Sequence, residues 1–254
     1  MAKPKPAGNF RSILMRPPVF QTYGKGVTVL RDDLLYGGSK SRFLPYLVGD
    51  AEEIVFGGPF CGGAPIALAY LGKLLNRKIT LFFAKRNREN WHPRQVKAKE
   101  LGAILKWVPD GMLTVVQKRA RDYAEAQGAL FLPLGFDLPA AEDPFLDFIH
   151  TKVRKKIGDP DEIWCATSSG MLARCLGKGF PNSHILSAKV GLKSRHAKQP
   201  FTNNVELLDV PYRFEQRCKV ETPFPCCYNY ERKAWELMQS KRKGSALFWN
   251  VIGD

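Results

Sequence analysis

The stretch from Glu53 to Phe83 leaves few folds open to this chain. Glu53-Ile54-Val55-Phe56 reads as a strand and ends in Gly57-Gly58-Pro59-Phe60-Cys61-Gly62-Gly63. Ala64 to Leu75 then carries apolar residues on nearly every side, the pattern of a helix buried against a sheet. Asn76-Arg77 turns the chain into Lys78-Ile79-Thr80-Leu81-Phe82-Phe83, a further apolar run of strand length. Strand, glycine turn, helix and strand make a βαβ unit, and such units build parallel sheets. The glycine turn aims backbone N–H groups at the helix start, where an anion is welcome. Its spacing is not the dinucleotide GxGxxG fingerprint.

The remaining pattern repeats the alternation. Gly26 to Arg31 is a short strand. His92 to Leu101 reads as a helix, Ile104 to Val108 as a strand, Met112 to Gln127 as a helix and Ala129 to Leu134 as a strand. Asp147 to Ile157 follows as a helix and Glu162 to Ala166 as a strand. That strand runs into Thr167-Ser168-Ser169-Gly170 and a helix from Met171, so hydroxyls and backbone amides gather at a helix N-terminus, as a phosphate requires. His184 to Val190 and Val205 to Val210 are strands, Tyr230 to Ser240 is a helix and Ala246 to Trp249 a closing strand. Met1 to Pro18, rich in Pro and Lys, reads as an extended arm. No internal repeat of solenoid period is present. The fold class is α/β.

One further turn stands apart. Val29-Leu30-Arg31-Asp32-Asp33-Leu34-Leu35-Tyr36-Gly37-Gly38-Ser39-Lys40-Ser41-Arg42-Phe43-Leu44 reads as a strand end, a tight Gly-Gly turn and a short helix that Ser39 can cap. Lys40 falls in the first helical turn, where the helix dipole disfavours an added positive charge. Adjacent glycines let something bulky lie against the backbone. A lysine placed this way is a candidate Schiff-base former. The alternative is a capped surface helix that begins with a lysine.

At 254 residues the chain can bury a full core as one large domain or two small ones. No apolar run is long enough to span a bilayer, and the basic N-terminus lacks a signal-type apolar core. The expectation is a soluble, cytoplasmic protein, in the host cytoplasm if it is viral. The six cysteines show no disulfide framework and the four histidines no metal-ligand spacing. A net charge of +15 makes polyanions natural partners. Ile54 to Arg88 holds no acidic residue but carries Lys73, Arg77, Lys78, Lys85, Arg86 and Arg88. Ile163 to Val205 likewise holds none against Arg174, Lys178, Lys189, Lys193, Arg195 and Lys198. Such runs also serve solubility alone.

With these pieces placed, the chain resembles the fold-type II, tryptophan-synthase-β-like, pyridoxal-phosphate enzymes. It is most similar to the aminocyclopropane-carboxylate deaminases and D-cysteine desulfhydrases. Arg31-Asp32-Asp33-Leu34 with Gly37-Gly38-Ser39-Lys40-Ser41-Arg42-Phe43-Leu44 resembles that group's R-D-D-L and G-G-N-K-x-R-x-L, with Ser39 in place of Asn. Phe56-Gly57-Gly58, Ala166-Thr167-Ser168-Ser169-Gly170-Met171-Leu172-Ala173, and Tyr230-Glu231-Arg232-Lys233-Ala234 with Leu247-Phe248-Trp249-Asn250 occur in the family's order. The resemblance implies two three-layer αβα domains with the cofactor between them. Residues 1–49 and 138–254 would form the larger and 50–137 a smaller inserted one. It implies pyridoxal 5'-phosphate on Lys40, its phosphate held by Thr167, Ser168, Ser169 and Gly170, and Glu231 facing the ring nitrogen. Tyr230 would be a neighbouring acid/base or stacking residue, and a homodimer is implied by the same likeness. Glu231 as a plain first-turn acid and Tyr230 as core are the structural alternatives.

The turn Phe60-Cys61-Gly62-Gly63 stands where relatives offer Ser and Asn side chains to the substrate, and here it has backbone amides only. The closing Asn250-Val251-Ile252-Gly253 lacks the family's terminal Thr. A pared-down pocket on a basic chain points to an amino-acid-like group carried by a large anion. Bacteriophage enzymes that trim amino acids attached to thymine in DNA are one such case, with decarboxylation, deamination or elimination at the α-carbon. A lyase or deaminase of a free small amino acid is the runner-up. A non-catalytic, nucleic-acid-binding relative of the fold is the third reading.

Overall fold

The computed structural model describes residues 16–109, 111–191 and 200–253. The arm read at 1–15 and the basic residues Lys193, Arg195 and Lys198 lie outside the described residues. The chain divides into two compact units, one holding Lys40–Ala141 and the other Arg16–Ser39 with Glu142–Asp254.

In the first unit β3 (Glu53–Gly57), β4 (Lys78–Ala84), β5 (Ile104–Val108) and β6 (Leu130–Leu132) form a sheet of order β5-β4-β3-β6. All three pairings are parallel, with Glu53 opposite Lys78 and Gly57 opposite Phe82 in the central pair. Its helices are α1 (Leu44–Val48), α2 (Ala64–Leu75), α3 (Pro93–Glu100) and α4 (Leu113–Gln127). Val116, Ala120 and Ala124 of α4 pack on Val55, Phe82 and Val108. Gly57 allows the closest approach, since a Cβ there would meet Ala120 and the Val116 carbonyl at 2.9 Å. Alternation turns Ile79 to the opposite face, where Gly72 of α2 lies against it. With both faces covered, the strands read as unbroken apolar runs.

In the second unit β1 (Phe20–Tyr23), β2 (Val27–Arg31), β7 (Glu162–Thr167), β8 (His184–Lys189), β9 (Val205–Asp209) and β10 (Ala246–Asn250) form a sheet of order β1-β2-β10-β7-β8-β9. Only β1 runs antiparallel, paired to β2. Val29, Trp164, Ala166, Leu186, Ala188 and Phe248 face Ala234, Trp235 and Met238, with Phe224 in the same cluster. The helical residues here belong to α8 (Glu231–Lys241). The other face carries Trp249, against which Phe145 and Phe148 of α5 (Pro139–Phe148) pack edge-on. A π-helical turn (Ile149–Arg154) and α6 (Lys155–Ile157) continue that helix, and Ile149 meets Gly179 at the end of α7 (Met171–Gly179). Full burial of a side chain such as Phe248 contributes about 1.5–3 kcal/mol.

Three elements differ from the sequence reading. β1 has no counterpart in it, because its side chains alternate between half-buried and exposed and its four residues carry little strand pattern. The helix read from Asp147 begins at Pro139, with Pro144 inside it. The strand read over Ala129–Leu134 is β6 followed by a 3-10 turn with Gly135 at φ 74° and Phe136 at φ 56°. All six cysteines are buried thiols outside any disulfide. Among the described residues no helix is long and apolar enough to cross a membrane, and no group of His, Cys, Asp or Glu is arranged to hold a metal.

Candidate functional site

The turn that presents Lys40 is built from its upstream strand. Arg31, the last residue of β2, donates from Nε and Nη2 to the Asp33 carboxylate, both bonds at 2.8 Å, in a fork that is nearly dry. Leu35 N–H then bonds to the Asp32 carbonyl and Gly38 N–H to the Leu35 carbonyl. Gly37 and Gly38 both take left-handed backbone, at φ 80° and 68°, which side chains resist. A Cβ on Gly38 would overlap the Val251 carbonyl oxygen, so the turn needs glycine for space as well as for φ.

The turn leads into a five-residue 3-10 helix, Gly38–Arg42, not a capped α-helix. Ser39 lies inside it, buried, and its hydroxyl accepts from Trp249 Nε1 at 2.9 Å. The expected cap is therefore absent: the indole claims the serine oxygen and ties the turn to β10. So short a helix also has little dipole to act on Lys40. Lys40 is half-buried while Gly37, Gly38, Ser39, Ser41, Arg42 and Phe43 are all buried. The lysine is the least buried residue between Gly37 and Phe43.

The β7–α7 turn is the second element. Thr167 closes β7, 2% exposed, and its Oγ1 is buried without a hydrogen-bond partner. Ala166 faces α8, so alternation turns Thr167 to the opposite face of the sheet. Ser168 and Ser169 are half-buried, and Gly170, at φ 92°, is the N-terminal boundary of α7. A Cβ at Gly170 would stand 3.1 Å from the Phe201 ring and 3.3 Å from Arg174 Nη1. The sequence reading counts Arg174 only in a basic run, yet it is 1% exposed and lies beside this turn. Its spacing, one helical turn beyond the boundary glycine, is the available signal.

Glu231 is the first residue of α8 and is buried. Burial pushes the Cys165 thiol up to about 12, the Cys165 S–H bond to Ser187 pulls the other way, and the Glu231 charge adds to the rise. Cys226 is pushed up in the same sense, first by burial and next by Glu231. The carboxyl thus sits within electrostatic reach of Cys165, two residues before Thr167 on β7. Tyr230 precedes it, half-buried, with its ring edge-on to Phe214 at 5.5 Å. Lys233 of the same helix is fully buried and donates to the carbonyls of Arg213 and Phe214.

The β3–α2 turn is different in kind. Cys61 is buried and its carbonyl accepts from Arg94 Nη1. Phe60 lies under the exposed Arg86 guanidinium, 3.6 Å from ring centroid to Cζ, with His92 beside it at 5.6 Å. Gly62 N–H reaches the Pro59 carbonyl at 3.5 Å, and Gly63 is the N-terminal boundary of α2. Pro65 removes one of the amides that an anion at this helix start could use.

No protein-family model matches the sequence, and no curated protein matches it significantly. Solved structures do. A structure described as an ACC deaminase homologue superposes at a TM-score of 0.74 with 18% identity, covering 96% of this chain and 94% of that one. O-ureido-L-serine synthase gives 0.69 at 13% identity, over 98% and 92%. A threonine deaminase from T.th. gives 0.69 at 13% identity, over 94% and 92%. The fold is that of the fold-type II pyridoxal-phosphate enzymes. Within it, Thr167, Ser168, Ser169 and Gly170 form one turn of the second unit, at the end of the strand that carries Cys165. Phe60, Cys61, Gly62 and Gly63 form one turn of the first unit, and Lys40 is that unit's first residue after the Gly-Gly turn.

Proposed function

We propose that this protein is a pyridoxal-phosphate-dependent enzyme acting at the α-carbon of an amino-acid-like group, by decarboxylation, deamination or elimination. The β7–α7 turn carries the reading. A buried threonine hydroxyl without a partner, two half-buried serines and a left-handed glycine at a helix start fit the donor set of a phosphate monoester. Bound there, the cofactor supplies an aldehyde carbon and an electron-withdrawing ring. Thr167, Ser168, Ser169 and the first amides of α7 would hold its phosphate. Lys40 would anchor the aldehyde through its amine and would carry the proton to or from the substrate α-carbon. Glu231 would be the acid that faces the ring nitrogen, and Tyr230 the adjacent acid or base. A homodimer is the assembly that goes with this reading.

Purified protein given pyridoxal 5'-phosphate should develop a visible absorption band that borohydride abolishes and that Lys40→Ala lacks. A colourless wild type that cannot be reconstituted overturns the enzyme and leaves a non-catalytic relative of the fold.

On the substrate, the turn at Phe60 to Gly63 favours an amino-acid group carried on DNA over a free small amino acid. It lacks hydroxyl or amide side chains, and an exposed arginine is stacked on its phenylalanine. Exposed Lys85 and Arg86, which follow β4 at the same end of the sheet as this turn, agree with this. In the second run Arg174 is buried, and Lys178 and Lys189 pair with Glu142 and Asp209. Affinity for duplex DNA should fall steeply with salt. A weak response independent of salt sinks the DNA substrate and leaves the free amino acid.

A further inference from the structure

We propose that Arg174 is the fixed cation of the β7–α7 cradle and makes it selective for a dianionic phosphate monoester. The inference rests on the cofactor reading above and extends it to a residue that reading does not use.

Three observations meet at one place. Arg174 occupies the fourth position of α7, and helical side chains lean back toward the N-terminus, so its guanidinium lies over the start of its own helix. Its Nη1 comes within 3.3 Å of where a Cβ on Gly170 would stand, and the Phe201 ring closes the same space from another side. A side chain at Gly170 would crowd the guanidinium, and the positive φ there independently favours glycine. Next, this is the wrong end of a helix for a cation. The amides of α7 carry partial positive charge there, so a buried guanidinium adds like charge to like. An anion at this turn would meet both the helix amides and the guanidinium. Last, the Thr167 hydroxyl, 2% exposed and without a partner, stands at the strand end that opens the turn. A neutral ligand needs no such concentration of positive potential. A dianion with several acceptor oxygens does.

The discriminating measurement compares pyridoxal 5'-phosphate with pyridoxal, which carries the same aldehyde and ring but no phosphate. Affinities for wild type and Arg174→Met are read from the lysine-dependent absorption band. Arg174→Met should weaken the phosphorylated aldehyde by roughly 10- to 100-fold and leave pyridoxal unchanged within about threefold. Equal losses for both, or no loss for either, overturn the proposal. Because a buried arginine can also matter for folding, Arg174→Lys provides a second arm. It keeps the charge but not the fork, and the ratio of the two affinities should fall several-fold. An unchanged ratio counts against the proposal.

Inorganic phosphate separates this inference from the cofactor reading. It should raise the Tm of wild type and fail to raise that of Arg174→Met. If wild type binds neither aldehyde yet shows this phosphate effect, the cradle stands and the cofactor reading falls. If the aldehydes bind at Lys40 and phosphate shifts wild type and Arg174→Met alike, the cofactor reading stands and Arg174 has no part in it.

Discussion

The chain makes the same local structure twice, a strand running through a glycine turn into a buried helix, and fills it with opposite chemistry. At the β7–α7 turn the side chains are hydroxyls, the boundary glycine is left-handed, and a buried arginine lies alongside. At the β3–α2 turn the side chains are Phe60 and Cys61, the boundary glycine has ordinary helical φ, and Pro65 withholds an amide. Each turn belongs to its own unit and its own sheet. One backbone solution therefore carries hydroxyls and a buried guanidinium in one unit. In the other it carries an aromatic-capped corner held by Arg94 on the Cys61 carbonyl. A glycine-rich βα turn is permission for anion binding, and the surrounding donors decide whether it is used.

The sharpest way to break this contrast is to put side chains on the two glycines. Gly170→Val must adopt positive φ and displace Phe201 or Arg174, so a loss of about 2–4 kcal/mol in denaturant unfolding is expected. Gly62→Ala meets only ordinary contact with Pro59 and should stay within about 0.5 kcal/mol of wild type. Similar losses at both sites would mean that the turns are equally constrained. Ser39→Ala comes next. It leaves the buried Trp249 indole N–H without an acceptor, which should destabilise by about 1–3 kcal/mol. A neutral result there would show that β10 does not hold the Lys40 turn through this bond.

Much of this is legible in the residues, for identifiable reasons. α2 is bounded by Gly63 and Asn76, and the unbroken apolar runs of β3 and β4 suit only strands covered on both faces. The Gly37–Gly38 turn and the Thr167–Gly170 turn are local chemistry, and local chemistry is written in consecutive residues. Ser39 reads as a cap because its partner, Trp249, lies at the far end of the chain, and no local rule reports that bond. The helix at Pro139 is hidden by Pro144, a residue that usually ends helices and is here accommodated inside one. Arg174 groups with neighbouring lysines because charge runs are counted along the sequence, whereas burial is decided by which side of a helix faces the sheet.

In the first unit the polar bonding gathers at the opposite end of β3 from its turn. Burial pushes the Glu53 carboxyl up, but bonds from Lys78 at 2.9 Å, Thr80 at 2.6 Å and Tyr123 at 3.1 Å more than offset this and hold it below the usual carboxylate value. A depressed folded value stabilises above the unfolded range, and that stability is lost as pH falls through the folded one. Glu53→Gln should therefore cost about 1 kcal/mol near neutral pH, with the difference from wild type vanishing in acid. A difference that persists at low pH would trace the effect to packing.

A smaller effect, with the opposite sign, is expected from Thr167→Val. The change exchanges an unpartnered buried hydroxyl for a methyl of the same shape, so the ligand-free protein should hold steady or gain up to about 1 kcal/mol. The gain in Tm from phosphate should shrink in the same variant. That pairing is the signature of a hydroxyl kept for a ligand. A clear loss of stability without ligand would instead make Thr167 a structural residue and erase the contrast with Ser39.

The smallest effect belongs to the aromatic corner. Arg86 is exposed and stacks on Phe60 at 3.6 Å, an arrangement that contributes about 0.5 kcal/mol at such sites. Arg86→Ala should be nearly silent in unfolding. If the corner faces a nucleic-acid substrate, the same change removes one phosphate-neutralising charge and lowers the slope of DNA affinity against salt by about 1. A slope equal to that of wild type, with stability unchanged, would leave Arg86 as a solvated side chain on a closed turn. The β3–α2 corner would then be structural throughout, and the substrate's charge would have to be read elsewhere in the chain.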